Sequence, residues 1–461
     1  MCLKKILSVI FVLLVAEFLF LKSVFADWIP YVRGTVTNEY DSNIFLDPQR
    51  KDYEGNSAGD YRLTITPTIG LRNETEHQQF SGEYSPVFNY FHEHSDQNYL
   101  GHNLSLSYNR ALTEHLSFFV TEGLIYSEEP EERSYTDYEY SDRDPNARMN
   151  TRSSHLDTTT TAGFSYQFGP EDFFRFTYVD ARINYTGSND GPDDGGYREN
   201  DDSVAYGPDI DLTYWITRRH GLNFSYGWRR YDYEYDYSRK TQDIAFVYTY
   251  RYSQHTSLNL NYSIEFVQEY GPGGFDYHIH RMTAGFEKEF SPSWSMSASA
   301  GFWSRSDVDD NGAMDYVGYT SDSEDSGFMG SLGLTYTHDR FHSSVAMEAG
   351  SRTAFNDYEN RGFTEYRSIS LSISYDLTER MSMFGSASYY YDLTPEMEGS
   401  HDDRTETYRV STGLNYLILP WLTSTLEYQY NESSETELDD RPAGYEQHIV
   451  MFTLTATYEW L

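Results

Sequence analysis

Along most of this chain apolar and polar residues alternate one by one. Leu222, Phe224, Tyr226 and Trp228 alternate with Asn223, Ser225 and Gly227. Leu258, Leu260, Tyr262, Ile264 and Phe266 alternate with Asn259, Asn261, Ser263 and Glu265, and Ile369, Leu371, Ile373 and Tyr375 with Ser368, Ser370, Ser372 and Ser374. A period of two with one apolar face predicts β-strands lying between an oily and a wet surface. These segments run about 12 to 16 residues, whereas strands of soluble proteins average roughly 5 to 6. A tilted strand needs about 9 to 11 residues to cross a bilayer. Length therefore favours a membrane barrel over a soluble sandwich or solenoid. The final segment, 447–461, has the same form: Val450, Phe452, Leu454, Ala456, Tyr458 and Trp460 share one face, and Thr453, Thr455, Thr457 and Glu459 the other. With Trp460 taken as its end, Phe452, Leu454, Tyr458 and Trp460 form the expected assembly signal for the barrel-assembly machinery, with Leu461 one residue extra.

Between the strand-like segments, short turns alternate with longer polar loops. Thr217-Arg218-Arg219-His220, Ser253-Gln254-His255-Thr256, Ser291-Pro292-Ser293, His338-Asp339-Arg340 and Leu377-Thr378-Glu379-Arg380 carry the Ser, Thr, Pro and Asp chemistry of tight turns. Such turns recur roughly every 40 residues, the period of a long hairpin with its loop. Nine short turns and ten loops make 20 strands, with 18 to 22 as the range set by uncertain boundaries. Short periplasmic turns, long outer loops and an even count describe a single all-β transmembrane antiparallel barrel. Strand twenty must then pair with strand one near 29–40 to leave no free edge. Strands begin close behind Ala26, which predicts a barrel with no plug. The inward faces read as Ser, Thr, Asn and Gly with scattered Arg62, Arg229 and Arg409. Tyr231, Tyr233, Tyr235, Tyr389, Tyr391, Tyr428 and Tyr430 are expected in an aromatic girdle where lipid meets water. The orientation of 172–185 stays open, because Arg175, Asp180 and Arg182 break either face.

Composition fits this picture. Mean hydropathy is −0.67, which excludes a helical membrane protein but not a barrel, where only alternate residues meet lipid. Lys4 and Lys5, the apolar run 6–20 and Val24-Phe25-Ala26 predict a cleaved secretory signal over 1–26, with the barrel over 27–461 in the bacterial outer membrane. Cleavage would remove Cys2, the single cysteine, and with it any disulfide or thiolate metal site. A net charge of −38 argues against nucleic acid as a partner.

Candidate chemistry is sparse. Asp307, Asp309, Asn311 and Asp315, with Gly312 at the turn, reproduce oxygen-ligand positions of a calcium loop; Gly318 stands where the bidentate Glu belongs. Acidic residues crowd the outer loops, eight against four Arg in 127–153, six against Arg198 in 188–202, and seven against none in 306–326. Such loops either bind Ca²⁺ or Mg²⁺ that bridges lipopolysaccharide phosphates, or keep the rim hydrated. Loop 127–153, the longest, is the candidate for a segment folded into the lumen. The pairs His92/His94 and His278/His280 put two imidazoles on one strand face, on strands too far apart to share an ion. No Gly-x-Ser-x-Gly elbow, His-Glu-x-x-His, phosphate-binding loop or cysteine nucleophile occurs, so no enzymatic activity and no resident cofactor are expected.

The opening Tyr40-Asp41-Ser42-Asn43-Ile44-Phe45, then Asp60, then Ile65-Thr66-Pro67-Thr68-Ile69-Gly70-Leu71 resembles the β-barrel porin 2 family. Motif-like similarity covers roughly the first 110 residues, and the remainder shares the hairpin pattern. The resemblance implies an outer-membrane barrel, often associated with exopolysaccharide production and export, and carries over no catalytic residues. Two functions follow from the whole sequence. One is a porin-like pore for exopolysaccharide or small polar solutes. The other is a non-conducting surface barrel whose acidic loops bind divalent cations, envelope polysaccharide or a protein partner.

Overall fold

The computed structural model describes residues 28–44, 46, 57–128, 154–185, 202–233, 238–270, 276–307, 325–356, 359–394, 403–435 and 444–460. They form one 20-stranded sheet. The first strands are β1 (Trp28–Asp41), β2 (Asp60–Glu74), β3 (Gln78–Phe91), β4 (Tyr99–Ala111) and β5 (Leu116–Ser127). Then come β6 (His155–Gln167), β7 (Phe173–Tyr185), β8 (Ser203–Thr217), β9 (His220–Tyr233) and β10 (Ser238–Ser253). The second half begins with β11 (Thr256–Tyr270), β12 (Tyr277–Ser291), β13 (Trp294–Asp307), β14 (Asp325–His338) and β15 (Phe341–Asn356). It ends with β16 (Glu359–Thr378), β17 (Met381–Thr394), β18 (Asp403–Leu419), β19 (Leu422–Glu435) and β20 (Gly444–Glu459).

Each strand pairs antiparallel with its sequence neighbour, and β20 returns to β1. The closing register sets Val36 opposite Leu454 and Thr35 opposite Thr455. Hydroxyl pairs Thr35–Thr455 (3.4 Å) and Thr37–Thr453 (3.0 Å) line the seam inside. Near its outer end Gln447 donates to Asp41 at 2.8 Å, and at the turn end Arg72 pairs with Glu459 at 2.7 Å. Closure satisfies every ladder without an edge, the condition for a sheet in hydrocarbon.

Residues directly opposite in a ladder share a face, so one parity runs round the wall. Val36, Ile69, Tyr84, Leu104, Leu124, Ile264, Leu371, Val410 and Phe452 all lie on the outer, lipid-facing side. Aromatic rings gather at both ends of that face. At the turn end Tyr166 stacks on Phe168, and Trp294 contacts Tyr336 with centroids 4.6 Å apart. At the loop end Tyr40 contacts Tyr61 and Tyr389 contacts Tyr408, at 4.9 and 4.8 Å. Tyr391, Tyr428 and Tyr430 also face outward. Tyr231 and Tyr233 do not: their register places them on the lumen face beside Arg229, so the girdle expected there is corrected. Tyr235 lies outside the described residues.

Five of the short turns share one device. The hydroxyls of Thr113, Thr217, Ser253, Ser291 and Thr378 each accept the N–H two residues on, at 3.2 Å. That local bond replaces a ladder bond where the chain reverses. A register shift one residue before the turn accompanies it in β8, β10, β12 and β16; β18 has the shift without the hydroxyl. In the turn His338-Asp339-Arg340, Asp339 takes φ 47°, a left-handed conformation that Asp tolerates better than most residues.

Candidate functional site

The inner face of the wall is the surface available to a solute, and its chemistry differs from side to side. On β1–β3, Arg33 pairs with Glu83 at 2.8 Å, Tyr31 donates to the same carboxylate, and Arg62 pairs with Glu39 at 2.9 Å. On β8–β12, Arg229 pairs with Asp209, and Arg281 with Glu265 at 2.8 Å. Each of these arginines thus meets an acid one or two strands away, so its charge is neutralised in place. Arg62 and Arg229, expected on the inner face, are there; the register puts Arg409 there too, between Ser388 and Asn431.

The opposite arc, β13–β19, is a hydroxyl wall. Ser299–Ser331, Ser344–Ser372 and Ser386–Ser411 are hydrogen-bonded pairs at 2.8, 2.7 and 2.8 Å, and Thr425 donates to Asn415 at 2.8 Å. Ser368, Ser370 and Ser374 continue the same face. Short side chains leave room, and paired hydroxyls keep unused acceptor sites for a polar solute.

Toward the loop end one side of the lumen is packed. Val267, Tyr277, Ile279 and Trp303 face inward on β11–β13 yet form an apolar cluster, with Ile279 0 % and Trp303 1 % exposed. Trp303 crosses the space a side chain would need at Gly327, where a Cβ would come within 2.7 Å of the ring. Arg305 lies over the Tyr277 ring at 4.6 Å. A second cluster, Ile44, Ala58 and Phe91 against Tyr99, sits at the outer ends of β1–β4. Beside it Asp60 is 1 % exposed and accepts N–H bonds from Tyr61, Glu93 and His94 at 2.6, 2.9 and 2.8 Å, plus Nδ1 of His94 at 3.0 Å. It pins the segment after β3 to the head of β2. At the turn end Glu171 pairs with Arg251 (Nη1–Oε1 3.0 Å), whose guanidinium lies 3.6 Å above Trp215. The hydrogen bond from Arg251 holds the Glu171 carboxyl below the usual carboxylate range.

Of the candidate calcium ligands, Asp307 is the last residue of β13, and Asp309, Asn311 and Asp315 lie outside the described residues. So does most of 127–153, the segment expected to fold inward. His92 and His94 are not on a strand face: β3 ends at Phe91, and His94 turns to Asp60. His278 and His280 share the outer face of β12, where His280 meets the Tyr262 hydroxyl at 2.8 Å. Among the described residues no group of three His, Cys, Asp or Glu is placed to hold a metal. The assembly-signal positions Phe452, Leu454, Tyr458 and Trp460 share the outward parity, and Trp460 donates its N–H to Pro30 at 3.0 Å.

No protein-family description and no curated protein matches the chain. Solved structures do. The iron transporter FrpB of Neisseria meningitidis (F3-3 variant) superposes with a TM-score of 0.56 at 8 % identity, over 95 % of this chain and 82 % of that one. The copper transporter OprC gives 0.50 at 9 % identity over 93 % and 80 %. Pseudomonas aeruginosa OccK3 (OpdO) gives 0.43 at 13 % identity over 94 % and 96 %. At these identities the likeness is one of fold. The closed 20-stranded wall, a fold shared with FrpB and OprC, places the chain in the bacterial outer membrane.

The fold comparisons correct one expectation, that of a barrel with no plug. At TM-scores of 0.5 and above the likeness is to longer transporter barrels. The short stretch between Ala26 and β1 bears only on what precedes the wall. Ile279 and Trp303, inward yet buried, show that the lumen is filled on that side at that height.

Proposed function

We propose that this outer-membrane barrel is a pore for small polar solutes, with neutral, hydroxyl-rich molecules such as sugars as the cargo class. The observation that carries the reading is the β13–β19 hydroxyl wall, which faces the lumen of a 20-stranded barrel. Barrels of about 16 to 18 strands already enclose water, and serine pairs can trade one another for a passing hydroxyl at little cost. The charged arcs are internally paired and do not compete for a neutral solute. The net charge of −38 adds a preference for cations over anions among charged solutes. A link to exopolysaccharide, implied by the resemblance of the first strands to the β-barrel porin 2 family, would draw on the same wall.

The test is swelling of liposomes carrying the refolded barrel. Mono- and disaccharides should enter faster than into protein-free vesicles, and replacing Ser344, Ser370 and Ser372 with Val should slow them. Vesicles that do not swell in any sugar would remove the proposal.

A further inference from the structure

The outer face is apolar at mid-height except in one sector. On β5 the outward residues rise from the turn as Leu116, Phe118, Val120, Glu122, Leu124 and Tyr126; on β7 as Phe174, Phe176, Tyr178, Asp180 and Arg182. Between them β6 presents Thr160, opposite both Glu122 and Asp180, and Thr158, opposite Arg182. Glu122 and Asp180 each stand six residues above the first outward residue of their strands, Leu116 and Phe174. At a rise of about 3.3 Å and a tilt near 40°, that is about 15 Å into a belt about 25 Å tall. Charged side chains at that depth destabilise a lipid-facing strand, Arg and Lys more than Asp and Glu.

The sector is not internally settled either. Arg182 is bidentate to Asp180, at 2.6 and 2.9 Å. Glu122 receives only the Thr160 hydroxyl, at 2.5 Å, and meets no cation among the described residues. A hydroxyl cannot offset a carboxylate in hydrocarbon.

We infer that the β5–β7 outer face is the contact between two copies of this chain. The patch is self-complementary about β6. A two-fold axis along the membrane normal, passing Thr160, sets β5 of one copy against β7 of the other. Glu122 of each copy then faces the Asp180–Arg182 pair of its partner and shares its guanidinium, while Thr158 and Thr160 meet across the axis. An isologous contact of this kind removes both carboxylates from lipid at once. Outer-membrane lipid supplies no cation at mid-belt depth, whereas a second copy brings the Arg182 guanidinium to Glu122.

The test uses the full chain in outer membranes. Cys2 is the only native cysteine, so Thr160→Cys supplies one thiol on the axis, and Leu371→Cys on β16 supplies a control on the far wall. Oxidation should convert the folded, heat-modifiable fraction of Thr160→Cys to a species of twice the mass, at least ten-fold more than in Leu371→Cys. Glu122→Arg in the Thr160→Cys background should suppress it. Equal yields at the two positions, monomer at both, or linkage of Thr160→Cys to a different protein would each overturn the inference.

Discussion

Leu371 and Ser370 are neighbours on β16 whose side chains point to opposite sides of the wall, and substituting each with Arg separates lipid from lumen. Leu371 lies four residues above Tyr375 of the turn-side aromatic end and four below the outward Arg367. Four residues at about 3.3 Å and a tilt near 40° place it about 10 Å above that ring, close to the middle of a belt about 25 Å tall. Arginine on the lipid face near the midplane costs about 2–4 kcal/mol. At 1.4 kcal/mol per factor of ten, that lowers the folding equilibrium constant roughly 30- to 700-fold. Ser370 lies across from Ala346 and Ser388 on the lumen face, where a guanidinium stays in water and the change should be within about 0.5 kcal/mol. The assay is reversible urea unfolding in liposomes, read by tryptophan fluorescence and heat-modifiable gel mobility. Equal losses for the two variants, or a larger one for Ser370→Arg, would refute the assignment of faces.

Three further outcomes follow from the wall and its ends. Asp60→Ala strips the acceptor from several buried N–H groups and should cost about 3 kcal/mol, exposing the segment after Phe91 to protease in intact cells; unchanged resistance would count against its anchoring role. Trp303→Ala empties the packed side of the lumen, costing about 3–5 kcal/mol and raising single-channel conductance, so a variant with native conductance would show that Trp303 does not narrow the path. Deleting Trp460 and Leu461 removes the N–H bond to Pro30 and the outward indole and should reduce the barrel recovered in outer membranes; normal recovery would contradict an assembly role for Trp460.

The period-two pattern makes the strands legible because each residue of the wall has only two environments, and the seam follows from the need to leave no edge. Depth and orientation were harder. In 172–185 alternation is masked by Arg175, Asp180 and Arg182; the register shows Arg175 facing the lumen and the other two facing out. Tyr231 and Tyr233 misled for the opposite reason, since tyrosine suits a wet lumen wall as well as a lipid interface. His94 looked like half of a strand-borne pair, and the signal for its true place was Asp60, a lone acid just before a strand whose partners are backbone N–H groups that no sequence pattern displays. The filled side of the lumen was unreadable because Val267, Ile279 and Trp303 interrupt an otherwise polar inner face one residue at a time, on separate strands.

Conduction is the property on which the proposed pore stands or falls. The refolded protein, shown to be folded by heat-modifiable mobility, should give sustained current steps in a planar bilayer, with a reversal potential in a potassium chloride gradient that reports cation preference. A silent bilayer from folded protein would contradict the pore itself.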